Sequence, residues 1–312
     1  MRVGQHFSFI VGFVGIFLLS SQSFGEVVGE NAKSPDDNAS MGYGDALVYG
    51  LVEGVTEFLP ISSTGHLLLA EQWIGERPEH FTIFIQSGAV LAVLAVFRER
   101  VGELIGNWRE KEPQEYLKKL GFSFVLTGMG GLALKNKGWE LANESTPIAW
   151  ALLIGGAMFI AFELHYRKTK KKSEEKISFP SITWTIAIAF GLAQLIAMIF
   201  PGASRSGITI LIGLILGMHR REAVEFSFLL GVPTLLAAGG YELASALKED
   251  AAAVQAKWQM LLLGTLVSAV TAFLAVKWLL GYLQKNSFMA FGWYRIGIGI
   301  AVLVLGERIV GG

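Results

Sequence analysis

Glu53-Gly54-Val55-Thr56-Glu57-Phe58-Leu59-Pro60-Ile61-Ser62-Ser63-Thr64-Gly65-His66 sits in a segment, 45–75, that is otherwise apolar from Ala46 to Leu59. Proline removes a backbone donor and clashes with the turn before it. Neither half of the segment reaches the roughly 20 residues that cross a bilayer. The stretch therefore predicts a re-entrant helical hairpin with a polar tip. A second segment, 184–217, is interrupted in the same way by Pro201-Gly202-Ala203-Ser204-Arg205-Ser206-Gly207.

Around these two breaks lie six apolar runs, 81–97, 117–134, 147–165, 222–243, 258–283 and 288–309, each read as a transmembrane helix. The predicted fold is an all-α polytopic membrane protein: six transmembrane helices plus two re-entrant hairpins in an inverted repeat. One repeat covers 45–165 and the other 184–309, within a single domain, 45–309. An offset of 141 aligns Gly50-Leu51 with Gly191-Leu192, Pro60 with Pro201, Ser63 with Ser204, and Glu53 with Gln194. Interrupted segments at matching places in two halves point to a midplane site. With the first hairpin dipping from outside, the basic residues Arg98, Arg100, Arg109, Lys111, Lys118, Lys119, Arg167, Lys168, Lys170–Lys172, Arg220 and Arg221 fall inside. Only scattered residues such as Lys137 and Lys248 fall outside, as the positive-inside rule requires. The hairpins then enter from opposite faces and their tips can meet.

Composition agrees. The chain has 312 residues, 52% hydrophobic and only 17% charged, against about 25% charged in soluble domains. Its mean hydropathy is +0.49. Zero net charge gives no reason to expect a nucleic-acid partner, and the absence of cysteine excludes disulfides and thiolate chemistry. At the front, Met1-Arg2, the apolar stretch Phe7 to Leu19, and Ser23 and Gly25 fit a cleaved signal peptide, 1–25. An uncleaved helix is the alternative. Residues 26–44 read as a polar linker.

The chemistry concentrates at the two breaks. Glu53 and Glu57 share one helix face, and like charges at that spacing repel, more so at membrane depth. A proton, a cation or a basic side chain must neutralise them. The functional options are a divalent metal site or a general base. Ser62-Ser63-Thr64-Gly65-His66 offers hydroxyls and an imidazole at a helix start, where backbone N–H groups attract anions. Ser63 is a candidate nucleophile; His66 is a candidate nucleophile, base or acid. An N-cap serine beside an uninvolved histidine is the plainer alternative.

Arg205, flanked by Ser204 and Ser206 and followed by Thr209, has a planar fork suited to phosphate. A structural salt bridge to Glu53 or Glu57 is compatible, since a substrate can insert between them. Gln86 and Tyr294 are candidates to line the site. Glu163 and Lys277 are expected to snorkel from the inner ends of their spans. Glu225 and Arg295, deeper, are expected to pair with each other for structural reasons.

The two quoted motifs resemble the signatures of the bacterial undecaprenyl pyrophosphate phosphatases of the bacitracin-resistance type. Glu225-Phe226-Ser227-Phe228-Leu229-Leu230 with Pro233, and Tyr294-Arg295, match as well, and the similarity spans 45–309. The resemblance implies an enzyme of the bacterial inner (cytoplasmic) membrane whose site opens to the periplasm. Such an enzyme removes the terminal phosphate of a C55 polyprenyl diphosphate lipid, recycling the carrier for the cell wall and conferring bacitracin resistance. It implies a divalent cation, Mg²⁺ or Ca²⁺, with Glu53 and Glu57 in the acidic, metal-binding motif. Ser63 and His66 fall in the catalytic tip with Ser62 and Thr64; Arg205, Ser204, Ser206 and Thr209 fall in the phosphate-binding tip. The signal-like segment and linker are not part of that pattern. Two other classes remain at this point, a transporter or flippase of a phosphorylated polyprenyl lipid and a non-catalytic lipid-binding scaffold. Oligomeric state is open, a homodimer included.

Overall fold

The computed structural model describes residues 42–75, 79–137, 145–169, 182–256 and 258–310. The signal-like segment and nearly all of the linker lie outside the described residues. Every regular element among them is an α-helix: α1 (Tyr43–Thr56), α2 (Ser63–Ile74), α3 (Glu79–Val96), α4 (Arg98–Gly106), α5 (Lys111–Asn136), α6 (Ser145–Thr169), α7 (Trp184–Ile199), α8 (Arg205–Ile215), α9 (Arg220–Ala256), α10 (Trp258–Leu283) and α11 (Met289–Val310). The linker's last residues are already helical, because α1 begins at Tyr43.

Both predicted interruptions are present. α1 stops at Thr56 and α2 starts at Ser63; α7 stops at Ile199 and α8 starts at Arg205. Among the described residues, α5, α6, α9 and α10 contain stretches long and apolar enough to cross a membrane. The apolar stretches of α3 and α11, Phe84–Val96 and Met289–Leu305, are shorter. Large apolar side chains stand exposed along the candidate spans, Met129 on α5, Ile154 on α6 and Val270 on α10 among them. In water such surfaces mark association sites; on long apolar helices they mark contact with hydrocarbon. The chain is a multi-pass helical membrane protein.

Each hairpin is embraced by the opposite half of the chain. α1 packs along α10, and α7 packs along α5. The first contact is close because small residues face each other. A Cβ on Gly50 would overlap the backbone of Gly264, and one on Gly54 would overlap Ser268 and Thr271. Such small-residue seams let helix backbones approach within the membrane. The second contact uses hydroxyls: Ser123 donates to the Ala187 carbonyl (2.7 Å), and Thr127 donates to the Gly191 carbonyl (3.1 Å).

Three expectations change. α4 forms where a basic loop is expected; its Arg100 pairs with Glu103 one turn on (2.8 Å) and with Glu225 of α9 (3.0 Å). Glu225 therefore does not pair with Arg295. Glu163 does not snorkel. It is fully buried, accepting from Arg220 (2.6 Å) and from the Phe288 backbone N–H (2.9 Å). A carboxylate supplied with a guanidinium and an N–H gains more by staying inside than by reaching for water. Lys277 is exposed, as expected.

Candidate active site

The two breaks fold into matching turns. Among the described residues, Ser62 and Ser204 are the non-glycine residues with positive φ, 73° and 70°, and each is the N-cap of the short helix that follows. The Ser62 Oγ accepts from the Gly65 N–H (3.5 Å) and the Ser204 Oγ from the Gly207 N–H (3.1 Å). A serine cap satisfies an orphan donor of the first helical turn. A positive φ on a side-chain-bearing residue is strain that its surroundings must sustain.

The equivalence of these caps corrects the repeat alignment. Ser62, not Ser63, corresponds to Ser204, an offset of 142 at the tips where 141 joins the prolines. Between the proline and the cap the second turn holds one more residue, with Gly202 at φ 88° within that stretch. Ser63 and Arg205 are thus matching residues, each the first of its helix.

Those two residues grip one carboxylate. Ser63 Oγ donates to Glu57 Oε2 at 2.7 Å, and Arg205 Nη2 donates to Glu57 Oε1 at 3.0 Å. Glu57 comes from the end of α1 and is nearly buried. Arg205 also lies 5.2 Å over the Phe58 ring, donates to the Ser227 carbonyl (3.4 Å), and would collide with any Cβ at Gly231. Ser227 is visible in the sequence only as part of a matching segment and Gly231 not at all; their contacts with the folded guanidinium show what they do. The N-termini of α2 and α8 begin at these gripping residues, so two positive helix ends serve one small volume.

His66 stands on the first tip without touching Ser63. Its Nδ1 donates to the Ser62 carbonyl (2.7 Å). In the neutral ring its Nε2 then accepts from the Tyr294 hydroxyl (2.8 Å), with the rings stacked at 5.5 Å. Both nitrogens are engaged in holding the strained Ser62 turn and Tyr294. The partner of the Ser63 hydroxyl is Glu57.

The second tip is locked onto the first. Ser206 Oγ donates to the Leu59 carbonyl (3.1 Å) and contacts Ser204 Oγ (3.2 Å). Thr209 Oγ1 binds the Arg205 carbonyl (2.7 Å) and Ser227 Oγ (2.6 Å). These hydroxyls fix the loop that carries Arg205. Thr64 is exposed at the first tip. Gln86 is half-buried on α3 and makes none of these hydrogen bonds.

Arg295 is the larger surprise. Its side chain is 0% exposed and its guanidinium donates to four carbonyls: Pro60 (3.4 Å), Ala151 (3.2 Å), Gly202 (3.3 Å) and Ala203 (2.9 Å). It clamps both tips to α6. The expected pairing with Glu225 fails because broken helices leave carbonyls without intrahelical donors, and these supply Arg295 with acceptors at the site itself.

Glu53 lies one helical turn before Glu57 and is 0% exposed. Two carboxylates with nearby hydroxyls are hard oxygen donors of the kind Mg²⁺ or Ca²⁺ accepts. Among the described residues no three His, Cys, Asp or Glu side chains group as a cage. Both oxygens of Glu57 are engaged by Ser63 and Arg205, so a cation here would take most of its ligands from substrate oxygens and water.

The helices and this site define a class: a multi-pass membrane protein whose two interrupted segments meet around a carboxylate, a hydroxyl and a guanidinium. The sequence family described as bacitracin resistance protein BacA matches residues 46–301. An undecaprenyl-diphosphatase of Rhizobium etli (strain CIAT 652) is 46% identical over 264 residues, covering 84% of this chain and 97% of the relative. One from Rhizobium johnstonii is 45% identical over 272 residues, covering 87% and 99%. Another, from Xanthomonas euvesicatoria pv. vesicatoria, is 43% identical over 260 residues, covering 83% and 95%. The chain belongs to the BacA family.

Proposed function

We propose that this protein hydrolyses undecaprenyl diphosphate to undecaprenyl phosphate and inorganic phosphate, as the names of its relatives describe for them. The observation that supports it best is Glu57 bridging the Ser63 hydroxyl and the Arg205 guanidinium at two helix N-termini. The product is the carrier on which envelope polymers are built, and its renewal underlies resistance to bacitracin.

Phosphoryl transfer asks mainly for positioning and for charge stabilisation on the transferred group. The diphosphate inserts at Arg205, whose fork takes two oxygens of the terminal phosphate. Ser63 Oγ attacks the terminal phosphorus as Glu57 takes its proton. The bond to the bridging oxygen breaks, and the lipid monophosphate leaves with that proton. Glu57 then deprotonates the water that splits the phosphoserine, releasing inorganic phosphate and restoring Ser63. His66 positions the tip through the Ser62 carbonyl. Ser63 is favoured over His66 as nucleophile because both His66 nitrogens are already engaged. Glu53 and Glu57 would hold a divalent cation, which when bound neutralises charge on the diphosphate oxygens. Ser62, Thr64, Ser204, Ser206 and Thr209 shape the walls.

The architecture behind this reading is six spans with two re-entrant hairpins in the inner membrane, the site facing the periplasm. It rests on the positive-inside pattern and on the two breaks.

The test is phosphate release from C55 diphosphate by purified protein, wild type and Arg205→Ala, with and without chelator. Wild type should turn over; Arg205→Ala should lose roughly 10³-fold or more; chelation should suppress the wild-type rate. A wild type that binds the lipid but releases no phosphate would turn the assignment to a carrier.

A further inference from the structure

Arg205 is placed by a helix that is itself anchored away from the site. The guanidinium rests on α9 in three ways. Its Nη1 donates to the Ser227 carbonyl (3.4 Å), Gly231 leaves it room, and the Phe58 ring beneath it meets Phe228 edge-on at 5.0 Å. In a helix the Ser227 carbonyl also accepts from the N–H four residues on, that of Gly231. A glycine there lets the guanidinium reach the same oxygen.

The first turns of α9 carry two ion pairs. Arg220 donates to Glu163 of α6 (2.6 Å) and lies 5.2 Å over the Tyr166 ring. Glu225 accepts from Arg100 of α4 (3.0 Å), which stands 4.9 Å over Tyr116 of α5. A cation at a helix N-terminus opposes the helix dipole, so it is Glu163, and not the helix, that stabilises Arg220 there. Ser227 and Gly231 follow Arg220 by seven and eleven residues, two and three turns, so all three share one face. Glu225 is turned about 140° from that face, and two anchors on different faces fix rotation as well as height. Pro233 removes the ladder bond to the Leu229 carbonyl and weakens the joint between 220–232 and the rest of α9. The placement of this segment is therefore set from its first turns.

Resting on the phosphatase reading above, we propose that Glu163, Arg220, Arg100 and Glu225 are positioning residues for the reaction. Their two ion pairs set the height and rotation of α9, and through Ser227, Phe228 and Gly231 the place of Arg205 at the diphosphate. Gly231 lies about 16 Å along the helix from Arg220, so the anchors act through the rod and not by contact. A misplacement of about 1 Å in a group that orients the reacting phosphate can cost on the order of 10²-fold in rate.

The experiment uses purified full-length protein and undecaprenyl diphosphate. Glu163→Gln/Arg220→Met and Arg100→Met/Glu225→Gln each remove both charges of one pair, so neither partner is left as an uncompensated charge. Glutamine at 163 keeps an acceptor for the Phe288 N–H. Lys118→Met, which breaks an exposed pair with Glu115, is the control and should match wild type. Each pair variant should lose about tenfold in kcat/KM, and Arg220→Lys, which keeps a donor for Glu163, should stay within about threefold of wild type. The decisive reading combines each pair variant with Gly231→Ala. Sites this far apart normally add, but both changes displace one guanidinium, so the combined loss should fall well short of the roughly hundredfold product. In an Arg205→Ala background neither pair variant should lower the residual rate further. Losses that multiply, losses that persist without Arg205, or unchanged kcat/KM in both pair variants overturn the proposal. If the first pair variant fails to fold, the second, with side chains only 14% and 19% exposed, carries the same test.

A second readout needs no turnover. Methylenediphosphonate, a diphosphate with carbon at its bridge, is titrated into the protein by calorimetry. Its Kd should rise about fivefold in each pair variant, as a displaced fork loses part of its grip on the phosphate, and should not move in Lys118→Met. An unchanged Kd in both pair variants overturns the proposal. A raised Kd beside a wild type that releases no phosphate would instead strike the phosphatase reading and leave the anchoring of α9 standing. Phosphate release with multiplying losses would do the reverse.

Discussion

The two hairpin tips share a serine-capped helix start and differ in the side chain that reaches Glu57. In each, a serine at positive φ caps a short helix, its Oγ takes the N–H three residues on, and the next side chain reaches Glu57. The first tip places a hydroxyl there, the second a guanidinium. In the proposed reaction the first is the nucleophile beside its base, and the second is the fixed positive charge that takes the phosphate. In that reaction the two similar turns would divide attack and charge stabilisation between them, and the carboxylate that joins them comes from the first half only. At the offset of 141 the second half has an exposed Met198 opposite Glu57, and Gln194, opposite Glu53, is buried and donates to Thr127 (2.9 Å), a packing role.

That division predicts unequal sensitivity. Ser63→Ala removes the attacking oxygen and should lower turnover by about 10³-fold or more, some 4 kcal/mol of barrier. A Ser63→Ala protein with near-normal phosphate release would eliminate the serine mechanism. Next in size is the clamp common to both tips. Arg295→Met strands carbonyls of Pro60, Gly202 and Ala203 in a buried place, and should cost about 3 kcal/mol of stability, read as a lower melting temperature in detergent. Equal stability in Arg295→Met would show that the tips hold together without it. The smallest effect belongs to the second tip alone. Gly231→Ala pushes a methyl into the Arg205 guanidinium, and should reduce turnover by about tenfold with little change in melting temperature. Loss of both together would mean that Gly231 serves helix packing instead.

Much of this was legible in the chain, and the parts that were not have a common cause. Proline, glycine and hydroxyls inside apolar runs located both breaks, because a membrane tolerates irregular backbone only where something satisfies it. That the two tips can meet followed from the charge rule on loops; which of Glu53 and Glu57 meets Arg205 did not. Hidden were interactions made through backbone or across long separations. Arg295 read as a base in want of an acid, yet three of its four acceptors, on Pro60, Gly202 and Ala203, are carbonyls freed only once the helices break, 92 to 235 residues away. Glu163 read as a group near the membrane edge, but its guanidinium comes from the start of α9. The one-residue shift between the tips was masked by the matching prolines. It emerges from φ angles and cap bonds, which letters do not carry.

The site depends on the two tips meeting at Glu57 and Arg205, and a double-mutant cycle on that pair tests the meeting most directly. Glu57→Gln, Arg205→Gln and the double variant would be compared with wild type by melting temperature and by denaturant midpoint in detergent. Each single change leaves a buried charge without its partner, so the double variant should be no less stable than the worse single one, a coupling of about 1.5 kcal/mol or more. Strictly additive losses would show that the two side chains do not touch in the working protein, and would contradict the site as described.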